Sequence, residues 1–200
     1  MEFVDVVRRR RMVRNYTGDP VDAAALDRII DAGLRAPSAG FTQGQSFVVV
    51  TEPDTRSRIA ELAGEPEYVA RGFDPWVSRA PVHIVVCVSE AAYHDRYREP
   101  DKTDASGQET DWPVPYWWVD AGASLMAILL ASVNEGLAAG FLGAQSFEGL
   151  AELLAIPAEV APIGVVTIGH PAPDRKSSSL VRGRRPGTVH REVWTPPDVS

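Results

Sequence analysis

Apolar positions along the chain switch between helical and strand spacing with no fixed repeat. Phe3, Val6 and Val7 recur at helical spacing and predict a short first helix with a packed apolar face and a basic end. A second helix is predicted from Asp22, a suitable N-cap, through Leu26, Ile29, Ile30, Gly33 and Leu34, with Pro37 stopping it. The β-branched runs at 46–51 and 82–89 read as buried strands central to a sheet, and 163–168 as a third strong strand. The strongest helix is predicted over 116–134, with Val119, Ala123, Met126, Ala127, Leu130 and Val133 on a wide apolar face and Gly136 just past its end. Weaker signals predict helices at 55–63 and 148–154 and a short strand at 139–144. The strands are too unevenly spaced for regular βαβ units, so an α+β layer architecture is expected over a doubly wound sheet.

Between Ser89 and Trp117 the pattern breaks into charges, prolines, glycines and aromatics, long enough to be an excursion from the core. An aromatic-rich lid is expected over about 74–117, carrying Trp76, Tyr93, Tyr97, Trp112, Tyr116 and Trp117. These rings either stack on a planar substrate or pack the excursion onto the body. The last residues, about 171–200, have no core of their own and read as an arm that must lie on something to be ordered.

A length of 200 residues with 44% hydrophobic and 24% charged positions fits one compact domain over 1–200 and excludes disordered and fibrous classes. The net charge of −7 argues against nucleic acid or an anionic membrane as partner. The longest apolar run, 121–133, is interrupted by Gly122, Ser124 and Ser132 and reads as a core helix instead of a membrane span. Cys87 is the sole cysteine, which excludes an intramolecular disulfide and fits a reducing compartment. With no signal-like apolar stretch near Met1, a cytoplasmic location is expected.

Only two of the 20 basic residues are lysine; the others are arginine, the side chain suited to bidentate contact with phosphate. Arg8, Arg9, Arg10, Arg11 and Arg14 cluster near one end and Arg182, Arg184 and Arg185 near the other. A charge run of this kind is either a solvated helix end or an anion site. No dinucleotide fingerprint, phosphate-binding P-loop or metal-ligand spacing of histidines is present, and Cys87 falls inside a strand as core. The segment Ala36-Pro-Ser-Ala-Gly-Phe-Thr-Gln-Gly-Gln45 is either a plain turn or a polar loop rich in amides and hydroxyls.

Arg-Arg-Met-Val-Arg at 10–14, Ala-Pro-Ser-Ala-Gly-x-x-Gln at 36–43, Trp-Val-Asp-Ala-Gly-Ala-Ser-Leu-Met at 118–126, Glu-Gly-Leu-Ala-Ala-Gly-Phe-Leu-Gly-Ala at 135–144 and Pro-Ile-Gly-Val-Val-Thr-Ile-Gly-His-Pro at 162–171 together resemble the nitroreductase family of FMN-dependent oxidoreductases, in order along nearly the whole chain. The resemblance implies an α+β fold with a central mixed, mainly antiparallel sheet flanked by helices. It also implies a homodimer that holds FMN at its interface and exchanges C-terminal tails. Residue by residue, it places Arg10, Arg11, Met12 and Arg14 at the FMN phosphate and ribityl chain, with Arg184 and Arg185 closing over the phosphate. Pro37, Ser38, Ala39, Phe41 and Gln43 match the loop along the isoalloxazine ring, contributed by the other subunit, and Leu142, Gly143 and Ala144 the turn near N5. Three positions depart from the family pattern: Met12 replaces a serine, Phe41 an asparagine, and Gly44 a proline.

The implied reaction is a ping-pong hydride transfer in which NADH or NADPH reduces FMN and a nitroaromatic, quinone or related small planar substrate then takes the electrons. The flavin carries the chemistry, so no catalytic acid, base or metal is assigned. Two alternatives stay open: an FMN-sequestering protein without nicotinamide turnover, and a specialised flavin dehydrogenase or oxidase acting on one metabolite.

Overall fold

The computed structural model describes residues 1–175, 181–183 and 189–194. Four strands form the sheet, β1 (Gln45–Val50), β2 (Val82–Val88), β3 (Ala138–Gly143) and β4 (Ala161–Gly169), in the order β1-β2-β4-β3. Every neighbouring pair is antiparallel; Val48 faces Val85, Val85 faces Val165, and Leu142 faces Val165. The expected mixed sheet is therefore corrected. Among the described residues parallel pairing is reduced to a single bridge between Met12 and Ala139. The run at 46–51 also proves to be an edge strand, with Ser46 and Val49 exposed: Val48 and Val50 pack on one sheet face and Phe47 on the other, but β1 ends the strand order with β2 as its neighbour. β2 is buried along its whole length, as a run of β-branched residues covered on both faces requires.

Helices α1 (Phe3–Arg9), α2 (Ala23–Leu34) and α7 (Tyr116–Asn134) are those the periodicity predicted. Asp22 caps α2, its carboxylate accepting from the Ala25 N–H at 2.9 Å. α7 and α2 cover one sheet face, where Ile29, Ile128 and Leu129 meet Ile84, Val86 and Val166. α7 is long and apolar enough in composition to cross a membrane, but here it is the central packed helix. Its orientation reverses the expected one: the buried side is Trp117, Asp120, Ala121, Ser124, Ile128, Leu129 and Ser132, while Val119 and Met126 stand exposed. Ala121, Ser124 and Ser132 let the helix sit close to the sheet beside Trp117, Ile128 and Leu129, while Val119 and Met126 turn outward. α1 likewise buries only Val6 and leaves Phe3 and Val7 exposed.

The opposite face is covered by α3 (Pro53–Leu62), α4 (Glu65–Ala70), α5 (Trp76–Arg79) and α8 (Leu150–Leu153), with α6 (Glu90–Tyr97) beyond the end of β2. Of the span 74–117, Trp76 and β2 belong to the core, which leaves 89–115 as the excursion. Cys87 is buried, and burial pushes its thiol up to about 11. Glu65, also buried, accepts from the Val77 N–H at 2.6 Å and the Ser78 N–H at 3.1 Å and so fixes the start of α5.

His83 of β2 is fully buried, with Nε2 2.8 Å from the Val77 carbonyl. Burial pushes it down to about 4, so between the ordinary histidine value and that figure the unfolded chain binds a proton the fold does not. Stability is then lost as pH falls from about 6.5 toward 4, by on the order of 3 kcal/mol. Urea unfolding at several pH values should show this loss in the wild type and a shallower one in His83→Gln. Equal slopes would contradict a neutral buried imidazole.

Candidate functional site: an arginine edge and a strained loop

After α1 the chain runs along the outer edge of β3. The Val13 N–H donates to the Ala139 carbonyl at 3.0 Å, and Tyr16, buried beneath, places its hydroxyl 2.8 Å from Thr167 Oγ1. The approach is close enough that a Cβ on Gly140 would stand 2.4 Å from the Val13 carbonyl oxygen, so only glycine admits the arginine segment there. Asn15 secures the far end, donating to the Pro173 carbonyl at 2.8 Å and accepting from Arg79 at 2.8 Å.

The arginines of this segment do different things. Arg11 pairs with Asp174 at 3.3 Å, and the same carboxylate accepts the Arg14 N–H at 3.1 Å. Arg11 also lines, with Arg9 and Glu135, a cavity of about 470 Å³ at the end of α7. The Arg14 guanidinium lies 6.0 Å above the Trp76 ring, on an aromatic face instead of a carboxylate. Among the described residues, Arg8, Arg9, Arg10 and Arg14 make no ion pair. Met12 is 38% exposed in the middle of this positive segment, where a thioether donates no hydrogen bond. From Ala139, β3 continues about 10 Å further to Leu142 and Gly143, with Ala144 opening a 3₁₀ turn (Ala144–Ser146). Arginine edge and small-residue turn thus share one border of the sheet. Arg184 and Arg185 lie outside the described residues.

The loop at 36–45 stands at the other border, leading into β1. A 3₁₀ turn (Ala39–Phe41) is tied by Thr42 Oγ1 donating to the Ala39 carbonyl at 2.6 Å and the Gln43 N–H donating to Ser38 Oγ at 2.8 Å. Phe41 and Gln43 hold φ of 57° and 55°, left-handed values that strain a residue with a Cβ. Phe41 nevertheless points its ring outward, 77% exposed. A Cβ on Gly40 would lie 2.7 Å from the Tyr97 ring, and Arg96 Nε donates to the Gly40 carbonyl at 3.0 Å, so α6 presses directly on the loop. Pro37 is exposed beside it.

One residue the sequence reading passed over organises this end. Asp120, buried on α7, accepts the Ala39 N–H at 2.8 Å and the Tyr93 hydroxyl at 2.9 Å on the same oxygen. A lone acid inside an apolar helix was the signal that could have found it, since a buried carboxylate needs donors. The excursion's rings pack on one another and on α7: the Trp112 ring centroid lies 4.4 Å from that of Tyr97 and 5.7 Å from that of Trp117. Trp76 sits apart from them, under Arg14.

Comparison with known proteins identifies the family and the fold. The family model described as the nitroreductase family matches residues 7–170. FMN reductase [NAD(P)H] of Bacillus subtilis is 31% identical over 199 residues, covering 96% of this chain and 74% of that protein. The solved structure of the hypothetical oxidoreductase YcnD from Bacillus subtilis superposes with a TM-score of 0.76 at 28% identity, over 99% of this chain and 76% of that one. A nitroreductase family protein from Streptococcus pneumoniae shares the fold at a TM-score of 0.69 and 22% identity, covering 88% of this chain and 94% of that one. The chain belongs to the nitroreductase family and is an oxidoreductase of that family.

Replacing Asp120 by alanine leaves the Tyr93 hydroxyl and the Ala39 N–H without their acceptor. Asp120→Ala should lower stability by on the order of 3 kcal/mol and Asp120→Asn, which keeps an acceptor, by less. Urea midpoints measure both; an unchanged midpoint for Asp120→Ala would show that the carboxylate does not hold the loop.

Proposed function

We propose that the chain is an FMN-dependent oxidoreductase that takes reducing equivalents from NADH or NADPH and delivers them to a small planar acceptor, a nitroaromatic or a quinone. The observation that carries this reading is the pair Arg10 and Arg14, without carboxylate partners among the described residues, along the outer edge of β3 that leads into the turn at Gly143 and Ala144. That donor set suits a phosphate, and a backbone of small residues suits the close approach of a flat ring. The relative named FMN reductase [NAD(P)H] supports the same choice.

Arg10 and Arg14 would hold the phosphate, while Arg11, engaged by Asp174, braces the segment. Leu142, Gly143 and Ala144 would face the ring. When bound, FMN supplies the hydride chemistry, so the chain's own work is to position it and exclude water. Loop 37–43 would close the other side of the ring, but within one molecule it lies at the opposite border of the sheet, three strand spacings or roughly 14 Å away. The reading therefore requires a second copy to supply Pro37, Ser38, Ala39, Phe41 and Gln43. The outward residues of α7, Val119 and Met126, with Phe3, Val4 and Val7 of α1, offer the apolar surface for that pairing.

The arm from 171 onward would cross to the partner, bringing Arg184 and Arg185 over the phosphate. Val181, Val189, Val193 and Trp194 on it are 90%, 79%, 70% and 79% exposed, a surface suited to docking elsewhere. A reducing compartment such as the cytoplasm suits a protein of this kind with one buried thiol.

Purified protein should absorb in the flavin band, release FMN on denaturation and elute as a dimer. Anaerobic NADH or NADPH should bleach it, and menadione or a nitrofuran should restore the colour. Arg10→Ala and Arg14→Ala should each weaken FMN binding by about 10- to 100-fold, Arg11→Ala by less. A colourless protein that takes up no added FMN would overturn the reading, and one that stays yellow with both nicotinamides would favour flavin sequestration.

A further inference from the structure

Between α6 and α7 lies a strap, residues 98–115, attached at two places of different chemistry. The first is Asp101, which accepts from Arg96 Nη1 and Nη2 at 2.7 Å each; the guanidinium holds its carboxyl down at about 2, so this pair stays charged across the neutral range. The second is Glu109, whose side chain is only 18% exposed. It accepts from Trp112 Nε1 at 2.8 Å, lies 3.0 Å from Arg98 Nε, and meets His94 Nδ1 at 2.5 Å.

An exposed ion pair by itself contributes little. Here three donors converge on a largely covered carboxylate, and one of them belongs to the ring at the centre of the aromatic cluster. Trp112 packs on Tyr97 at 4.4 Å, and Tyr97 in turn presses on Gly40, the residue before the strained, outward-pointing Phe41. Glu109 is thereby connected to the exposed loop through two side chains.

We propose that Glu109 is a positioning residue that latches the strap onto the 38–43 loop, and that the protonation of His94 sets how firmly the latch holds. That the strap controls the approach to the planar acceptor rests on the proposed function; the latch itself does not.

The groups facing His94 give the direction. Glu90, one turn earlier on α6, is 3.5 Å from Nε2, Glu109 faces Nδ1, and Glu159, before β4, lines the same cavity of about 370 Å³; Arg98 is the opposing charge, already shared with Glu109. Hydrogen bonds to Glu109 and Glu90 raise His94 above the ordinary histidine value, and those from His94 and Trp112 lower Glu109 below the usual carboxylate range. Between those two limits the latch is a charged pair. As pH rises through the His94 value the imidazolium is lost, a neutral N–H remains, and the strap loosens.

Hydrogen exchange of the purified full-length protein, normalised for the chemical exchange rate, tests this. Peptides from 98–115 should open at least about fivefold more at pH near 8 than near 6. His94→Gln should abolish that dependence, and Glu109→Gln should raise strap exchange at both pH values with β2 and β4 still protected. A wild-type strap indifferent to pH, or a Glu109→Gln strap as protected as wild type, overturns the proposal. If Glu109→Gln exposes β2 and β4 as well, the His94→Gln comparison decides. Flavin content of the same samples separates the two readings: retained FMN with a pH-indifferent strap sinks the latch alone, and a working latch without FMN uptake sinks the proposed function alone.

Discussion

A single buried carboxylate governs the layout of the loop end of this molecule. Asp120 lies in an otherwise apolar stretch of α7, and a carboxylate taken out of water must collect donors to be tolerated. The donors it collects belong to residues remote in sequence, Ala39 and Tyr93, so one charge sets both the loop ahead of β1 and the helix after β2 against the central helix. The neighbouring contacts follow from that placement. Tyr93 and Tyr97 sit so close to Gly44 and Gly40 that neither position has room for a Cβ, and the rings of the excursion pack edge-to-face outward from there. The strain at Phe41 and Gln43 persists because these contacts over-determine the loop.

At the opposite border the organising contact is between backbones. The arginine segment reaches the β3 edge through the absent side chain of Gly140, and Tyr16 and Asn15 hold it there. The strand order β1-β2-β4-β3 keeps the two borders apart within one chain. Charge is therefore displayed at one border and an exposed aromatic, Phe41, at the other.

Much of this was legible in the sequence where the pattern is long and one-signed. The strands β2 and β4, the caps of α2 and the extent of α7 follow from β-branched runs, Asp22 and Gly136. The arginine segment and the polar loop were legible as motifs, and the structure places the two at separate borders. What periodicity misjudged was direction. On α7 the large apolar residues looked like the packed face, yet the buried side carries Ala121, Ser124 and Ser132; a helix with apolar residues all round does not reveal which side meets the sheet. β1 looked central because four consecutive apolar residues carry no alternation to mark an edge. α4, α5 and α6 are short and charged, and contacts such as Glu65 with the start of α5 hold them in place, beyond the reach of any local pattern. Asp120 was legible only as a lone acid in an apolar helix, its donors unidentified, and Glu109 is one acid among many until His94 of α6 is seen against it.

The placement of Cys87 has a consequence for durability. Attack by peroxide requires the thiolate, and a thiol held up at about 11 inside a fully covered strand supplies almost none near neutral pH. The chain's one oxidisable thiol is thus shielded by the same packing that builds the sheet, so a molecule handling electrons in the presence of oxygen would age through its exposed methionines before its cysteine.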